Sequence, residues 1–123
     1  MALLRRMDPW LPPLALMALI FFFSSQESLN SGLGTLDLVG RKIIHFAQYG
    51  LLTFLWWRAL RTRMSHGGAV LAAFLVTIAY AATDEYHQTF VAGRHGSPLD
   101  WAIDSAGAAL VALRLRSRRR APA

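Results

Sequence analysis

The sequence predicts an all-α fold, a polytopic membrane protein of four transmembrane helices. Three observations predict it. Hydrophobic residues make up 54% of the 123-residue chain against 16% charged, more apolar than a typical soluble domain. Four apolar segments stand out at residues 10–25, 41–60, 67–88 and 98–114, with no repeat or linker between them. Ten of the thirteen Lys and Arg residues fall on one side of those segments, the bias that sets membrane orientation.

The first segment runs from Leu14 to Phe23 without a polar residue. A helix at a soluble surface would show a polar stripe. Pro9, Pro12 and Pro13 fall in its first turns, where a missing backbone N–H is tolerated. Arg5 and Arg6 precede it as in a secretory signal, but Phe23-Ser24-Ser25-Gln26 is a poor small-residue cleavage site, so the segment is read as a retained anchor. The second and third segments are joined by a loop holding Arg61 and Arg63, and the fourth leads into a basic tail, 115–123. With Arg5, Arg6, Arg58 and Arg114 these place both termini in the cytoplasm. Arg41, Lys42 and Arg94 remain on the outer side, with six of the seven carboxylates. Trp10, Trp56, Trp57 and Trp101 lie near segment ends, as an interfacial aromatic belt requires. The whole chain, 1–123, reads as one domain.

The purely apolar stretches are shorter than the roughly 20 residues that a 30 Å hydrocarbon layer requires. To span, the helices must carry polar ends into the membrane: His45 in the second, Asp84 and Gln88 in the third, Asp100 in the fourth. Ionisable groups at that depth are costly unless they pair or face a polar cavity. Helical spacing places Thr77, Tyr80, Asp84 and Gln88 on one face, Arg41, His45 and Tyr49 on another, and Asp100, Asp104 and Gly107 on a third. These faces are expected to converge on one polar pocket open to the outer side. The small residues Ala106-Gly107-Ala108-Ala109 suit close helix packing.

In that pocket His45, Asp84 and Glu85 are the candidate acid and base; an unperturbed imidazole titrates at about 6.5 and suits the role. Lys42, Tyr49, Gln88 and Arg94, with the hydroxyls of Ser24 and Ser25, are candidate substrate-binding groups, and the Arg94 guanidinium is a planar fork for phosphate or carboxylate. Asp84, Asp100 and Asp104 are candidate ligands of a hard divalent cation such as Mg²⁺. Zinc is disfavoured, since no His-Glu-x-x-His occurs and an oxygen-rich set suits Mg²⁺, Mn²⁺ or Ca²⁺. The opposing reading makes the same residues an ion-pair network with Arg41, Lys42 and Arg94 that fastens helix ends. The absence of cysteine excludes thiolate sites and a Cys nucleophile. A net charge of +6 without a nucleic-acid motif serves topology and anionic lipid, so no nucleic-acid partner is expected.

Four motifs in order, Phe23-Ser24-Ser25-Gln26, Lys42-x-x-His45-Phe46-x-x-Tyr49, Asp84-Glu85-x-x-Gln88-x-Phe90-x-x-Gly93-Arg94 and Asp100-x-x-x-Asp104-x-x-Gly107, resemble the VanZ-like family over about residues 20 to 110. The resemblance implies a bacterial cytoplasmic-membrane protein. Its family takes its name from a protein that raises resistance to teicoplanin, a glycopeptide whose target lies in cell-wall precursors outside the membrane. One departure is Asp104, where many relatives have Asn. Two function classes follow. One is a protein that binds or modifies a lipid or lipid-linked cell-envelope precursor with an anionic head group. The other is a non-catalytic accessory protein whose partner is a second copy or another membrane protein.

Overall fold

The computed structural model describes residues 8–24, 35–90 and 98–118. Among these residues the chain is all-α, with four helices and no strand: α1 (Leu11–Ser24), α2 (Thr35–Leu60), α3 (His66–Gln88) and α4 (Pro98–Arg118). The elements match the four apolar segments, with two differences at their ends. Helix α2 starts at Thr35, six residues before Arg41, and runs through Gly40. Helix α4 continues to Arg118 because Leu115 still has a buried face to cover.

Local chemistry sets each terminus. Asp8 turns the chain into α1, its Oδ1 accepting from the Trp10 N–H at 2.8 Å. Pro12 and Pro13 then occupy first-turn positions, where no intrahelical donor is required. Helix α2 closes through a bond from the Arg61 N–H to the Trp57 carbonyl at 2.9 Å. Ser65 then caps α3 in extended conformation, its hydroxyl accepting from the Gly68 N–H at 3.3 Å.

The helices run alternately up and down, and side-chain bonds fix the register. At one end the Trp10 ring meets Trp56 edge-on at 6.2 Å, and His66 Nε2 donates to the Leu115 carbonyl at 2.9 Å. Arg61 lies over the Trp57 ring at that end, 4.7 Å from its centroid. At the other end Phe21 stacks on His87 at 4.5 Å, and Lys42 meets Asp100. Between them the Tyr80 hydroxyl donates to the Met17 carbonyl at 2.6 Å, tying α3 to α1. Arg58, Arg61, Arg114 and Arg116 therefore share an end, and Lys42, Asp84, Asp100 and Asp104 share the opposite one.

Helices α2 and α4 touch backbone to backbone. A Cβ on Gly107 would collide with the Phe46 carbonyl, and one on Gly50 would lie 3.0 Å from Val111 Cγ2 and 3.3 Å from the Gly107 carbonyl oxygen. Small residues permit this close approach. The apolar interior is divided between Tyr49, Ile20, Leu52 and Ala81 towards the acidic end and Val70, Ala112 and Leu115 towards the basic end.

The exterior is also apolar: Leu14, Phe22, Ile43, Leu71, Leu110 and Leu113 are all more than half exposed. Such a surface suits lipid better than water. Among the described residues one helix, His66–Gln88, is long and apolar enough to cross a membrane by length and composition. Helix α1 is apolar but 14 residues long. Helices α2 and α4, at 26 and 21 residues, have the length but carry charged residues towards their ends. The sequence expectation of four helices is met; that all four span rests on those polar ends entering the membrane.

Candidate functional site

The site lies at the acidic end, where α2, α3 and α4 each turn one polar face inward. Helix α3 contributes Asp84, Glu85 and Gln88, respectively 3%, 7% and 4% exposed. Asp84 and Gln88 are one turn apart, so both reach the same space. Helix α2 contributes Tyr49, fully buried, with His45 one turn before it. Helix α4 contributes Asp104, 1% exposed, three residues ahead of the Gly107 contact.

Asp84 anchors the arrangement. The Tyr49 hydroxyl donates to its Oδ2 at 2.8 Å, and the Gln88 amide donates to the same oxygen at 3.5 Å. Its Oδ1 is buried without a hydrogen-bond partner. Asp104 is less satisfied still. Its Oδ1 lies 3.4 Å from His45 Nδ1, close enough for an ion pair with a protonated ring, but the contact is not aligned as a hydrogen bond and both carboxylate oxygens lack one. Buried polar atoms nearly always have partners, so atoms left without them mark where another group belongs. One atom each from His45, Glu85 and Asp104 lie within 4.8 Å of one another.

Lys42 and Asp100 form a separate pair, Nζ to Oδ1 at 2.6 Å, each side chain about 30% exposed. They form the rim. An ion pair this accessible is worth at most about 1 kcal/mol. Lys42→Met is therefore expected to lower stability by less than about 1 kcal/mol in equilibrium unfolding. A loss several times larger would make the pair a structural fastener.

The structure thus brings together His45, Tyr49, Asp84, Glu85, Gln88 and Asp104 from the residues expected at the site, with Lys42 and Asp100 beside them. Asp100, expected with Asp84 and Asp104 around a cation, is instead turned to Lys42, while His45 and Glu85 stand with Asp104. Ser24 ends α1 at the same end of the bundle, its side chain outside the described residues; Ser25 and Arg94 also lie outside them. Sequence reasoning missed the Tyr80 to Met17 tie and the His66 to Leu115 bond. Side chain to backbone bonds between helices leave no spacing signal. A second feature it missed is an open groove of about 760 Å³ between α3 and α4 near the basic end, walled by Val70, Phe74, Ala109 and Ala112 with Arg116 at its mouth.

A helical bundle with an apolar exterior that buries carboxylates at one end defines the class: an all-α protein with a polar terminal site. The family described as VanZ/LLP1 matches residues 10–117, all four helices and every described residue of the site. The chain belongs to this family. No curated protein and no solved structure matches it.

Proposed function

We propose that this chain is a four-span protein of the bacterial cytoplasmic membrane, both termini cytoplasmic, whose acidic end faces the outer leaflet. There it binds or modifies a lipid or lipid-linked cell-envelope precursor with an anionic head group. The observation that carries this reading is the pair of buried aspartates, Asp84 and Asp104, whose oxygens are incompletely satisfied at the end of an apolar-surfaced bundle. Charged groups buried at membrane depth without full pairing are costly, and a ligand site is the ordinary reason to keep them. The segregation of Arg58, Arg61, Arg114 and Arg116 at the opposite end supports the orientation. Lys42 at the rim and Arg94 beyond the described residues would meet the head group; Tyr49 and Gln88 would hold Asp84 in place. In a modifying reaction His45, Asp84 and Glu85 would exchange protons with the substrate. The link to glycopeptide resistance comes from the family and fits a site facing the compartment where cell-wall precursors are displayed.

The accessory reading is favoured by one contact, Lys42 with Asp100, which joins α2 to α4 as a fastening network would. Native mass spectrometry of protein extracted gently from its own membrane, beside Asp84→Ala and Arg94→Ala, separates the two. The expected result is a phospholipid or isoprenoid phosphate retained by the wild type and lost from both variants. Identical nonspecific lipids on all three proteins would sink the ligand-site reading and leave the network.

A further inference from the structure

The acidic end contains a difficulty for any anionic ligand: the head group would approach Asp84, Glu85 and Asp104, all buried. Like charges so placed repel, and the low-dielectric surroundings strengthen the repulsion. Lys42, which would meet the head group, does not by itself remove the problem, because it is shared with Asp100 at the rim. A positive charge seated among the carboxylates would.

We propose that His45, Glu85 and Asp104 hold a divalent transition-metal ion, Zn²⁺ or Mn²⁺. Three observations carry this. One donor atom from each residue already lies within 4.8 Å of the other two, each residue coming from a different helix. Asp104 is 1% exposed, and neither of its oxygens has a hydrogen-bond partner, although the imidazole is adjacent. Finally, His45 Nδ1 and Asp104 Oδ1 are 3.4 Å apart without hydrogen-bond alignment. Two ligands each about 2.0–2.1 Å from a tetrahedral ion are separated by about 3.3–3.4 Å. The observed gap matches that of two ligands on one tetrahedral ion, and it is long for a hydrogen-bonded charged donor–acceptor pair, which closes to about 2.7–2.9 Å.

The donor set narrows the metal. One imidazole nitrogen beside two carboxylates suits Zn²⁺, Mn²⁺ or Fe²⁺ better than Ca²⁺ or Mg²⁺, and no thiolate selects a softer ion. Zinc, disfavoured by a set of carboxylates alone, returns with the imidazole, and Zn²⁺ and Mn²⁺ are the ions that need no reductant to stay divalent. Asp84 is not among the three clustered donors, and Tyr49 and Gln88 both bond its Oδ2. Three protein ligands leave a coordination position open, which an anionic oxygen of the head group would fill. The site deepens the proposed function by explaining how an acidic pocket takes an anion, yet it rests on protein atoms alone and is measurable without any substrate.

The test is metal binding by the full chain in detergent, after chelator treatment and removal of the chelator. ZnCl₂ and MnCl₂ are titrated in separate experiments, with bound metal counted by plasma mass spectrometry. The expected result is about one equivalent per chain of at least one ion. Affinity should fall at least tenfold in Asp104→Asn and in His45→Gln and stay within twofold in Asp8→Asn, which changes a carboxylate at the opposite end. Far-UV circular dichroism identifies any variant that has lost its helices, and the wild-type stoichiometry stands without it. Failure of the wild type to hold either ion, or equal binding by wild type and folded site variants, overturns the inference. The substrate reading fails separately: metal held at this site with no head group retained in the native spectra preserves the ion and removes the anionic ligand. A head group retained in the native spectra by protein that takes up neither ion on titration does the reverse.

Discussion

Gly107→Leu is expected to prevent stable assembly of the bundle. At this position even a methyl group has no room, because the Cβ would enter the Phe46 backbone carbonyl, and neither helix can answer by rotating a side chain away. The helices must separate, which strips contacts along the interface between α2 and α4. Overpacking a well-filled core typically costs 1–3 kcal/mol; where the clash is backbone on backbone, Gly107→Ala is expected at or above about 3 kcal/mol and the leucine variant beyond it. Gly50→Ala is the internal comparison. Its Cβ would be 3.0 Å from Val111 Cγ2 and 3.3 Å from a carbonyl oxygen, so a small valine shift relieves most of the conflict. About 1 kcal/mol is expected there. Thermal unfolding in one detergent, followed by circular dichroism, ranks the three, and equal melting temperatures for Gly107→Ala and wild type would refute the close crossing.

The second large effect lies in the bond between Tyr49 and Asp84. Tyr49 is fully buried and its hydroxyl meets the carboxylate at 2.8 Å, across from α2 to α3. A hydrogen bond to a charged group contributes about 1.5–3 kcal/mol, and removing one partner also leaves the other buried and partly unsatisfied. Tyr49→Phe and Asp84→Asn are each expected to cost about 2 kcal/mol. Because both remove the same interaction, the double variant should cost about 1–2 kcal/mol less than their sum. Equilibrium unfolding of the four proteins completes the cycle. Additivity within about 0.5 kcal/mol would mean that the two groups act independently, and Asp84 would then lose its place as anchor of the polar faces.

Much of this was legible in the sequence because helical periodicity is a local property. The spacing of Thr77, Asp84 and Gln88 placed them on one face, and all three are buried. The small run around Gly107 marked a close approach, and α2 and α4 meet there. The limit was pairing across helices. Spacing gives the face on which a carboxylate lies but not its height against the neighbouring helix. Asp100 and Asp104, one turn apart on one face, thus take different partners, Lys42 at the rim and His45 within. The start of α2 was hidden for another reason: Thr35, Asp37 and Gly40 are poor helix formers, so local propensity gave no sign that the helix runs through them.

The contact at Gly107 bears on more than cohesion. His45 adjoins Phe46 in the chain, and Asp104 lies one turn before Gly107, so the two side chains extend from the segments where the α2 and α4 backbones meet. The main-chain contact thus fixes how far apart the two side chains are rooted, and from there their rotamers bring Nδ1 and Oδ1 to 3.4 Å. Glu85 comes from α3, outside that pair. A methyl group at Gly107 would therefore act as a spacer, detuning the distance between His45 and Asp104 even in a bundle that still folds.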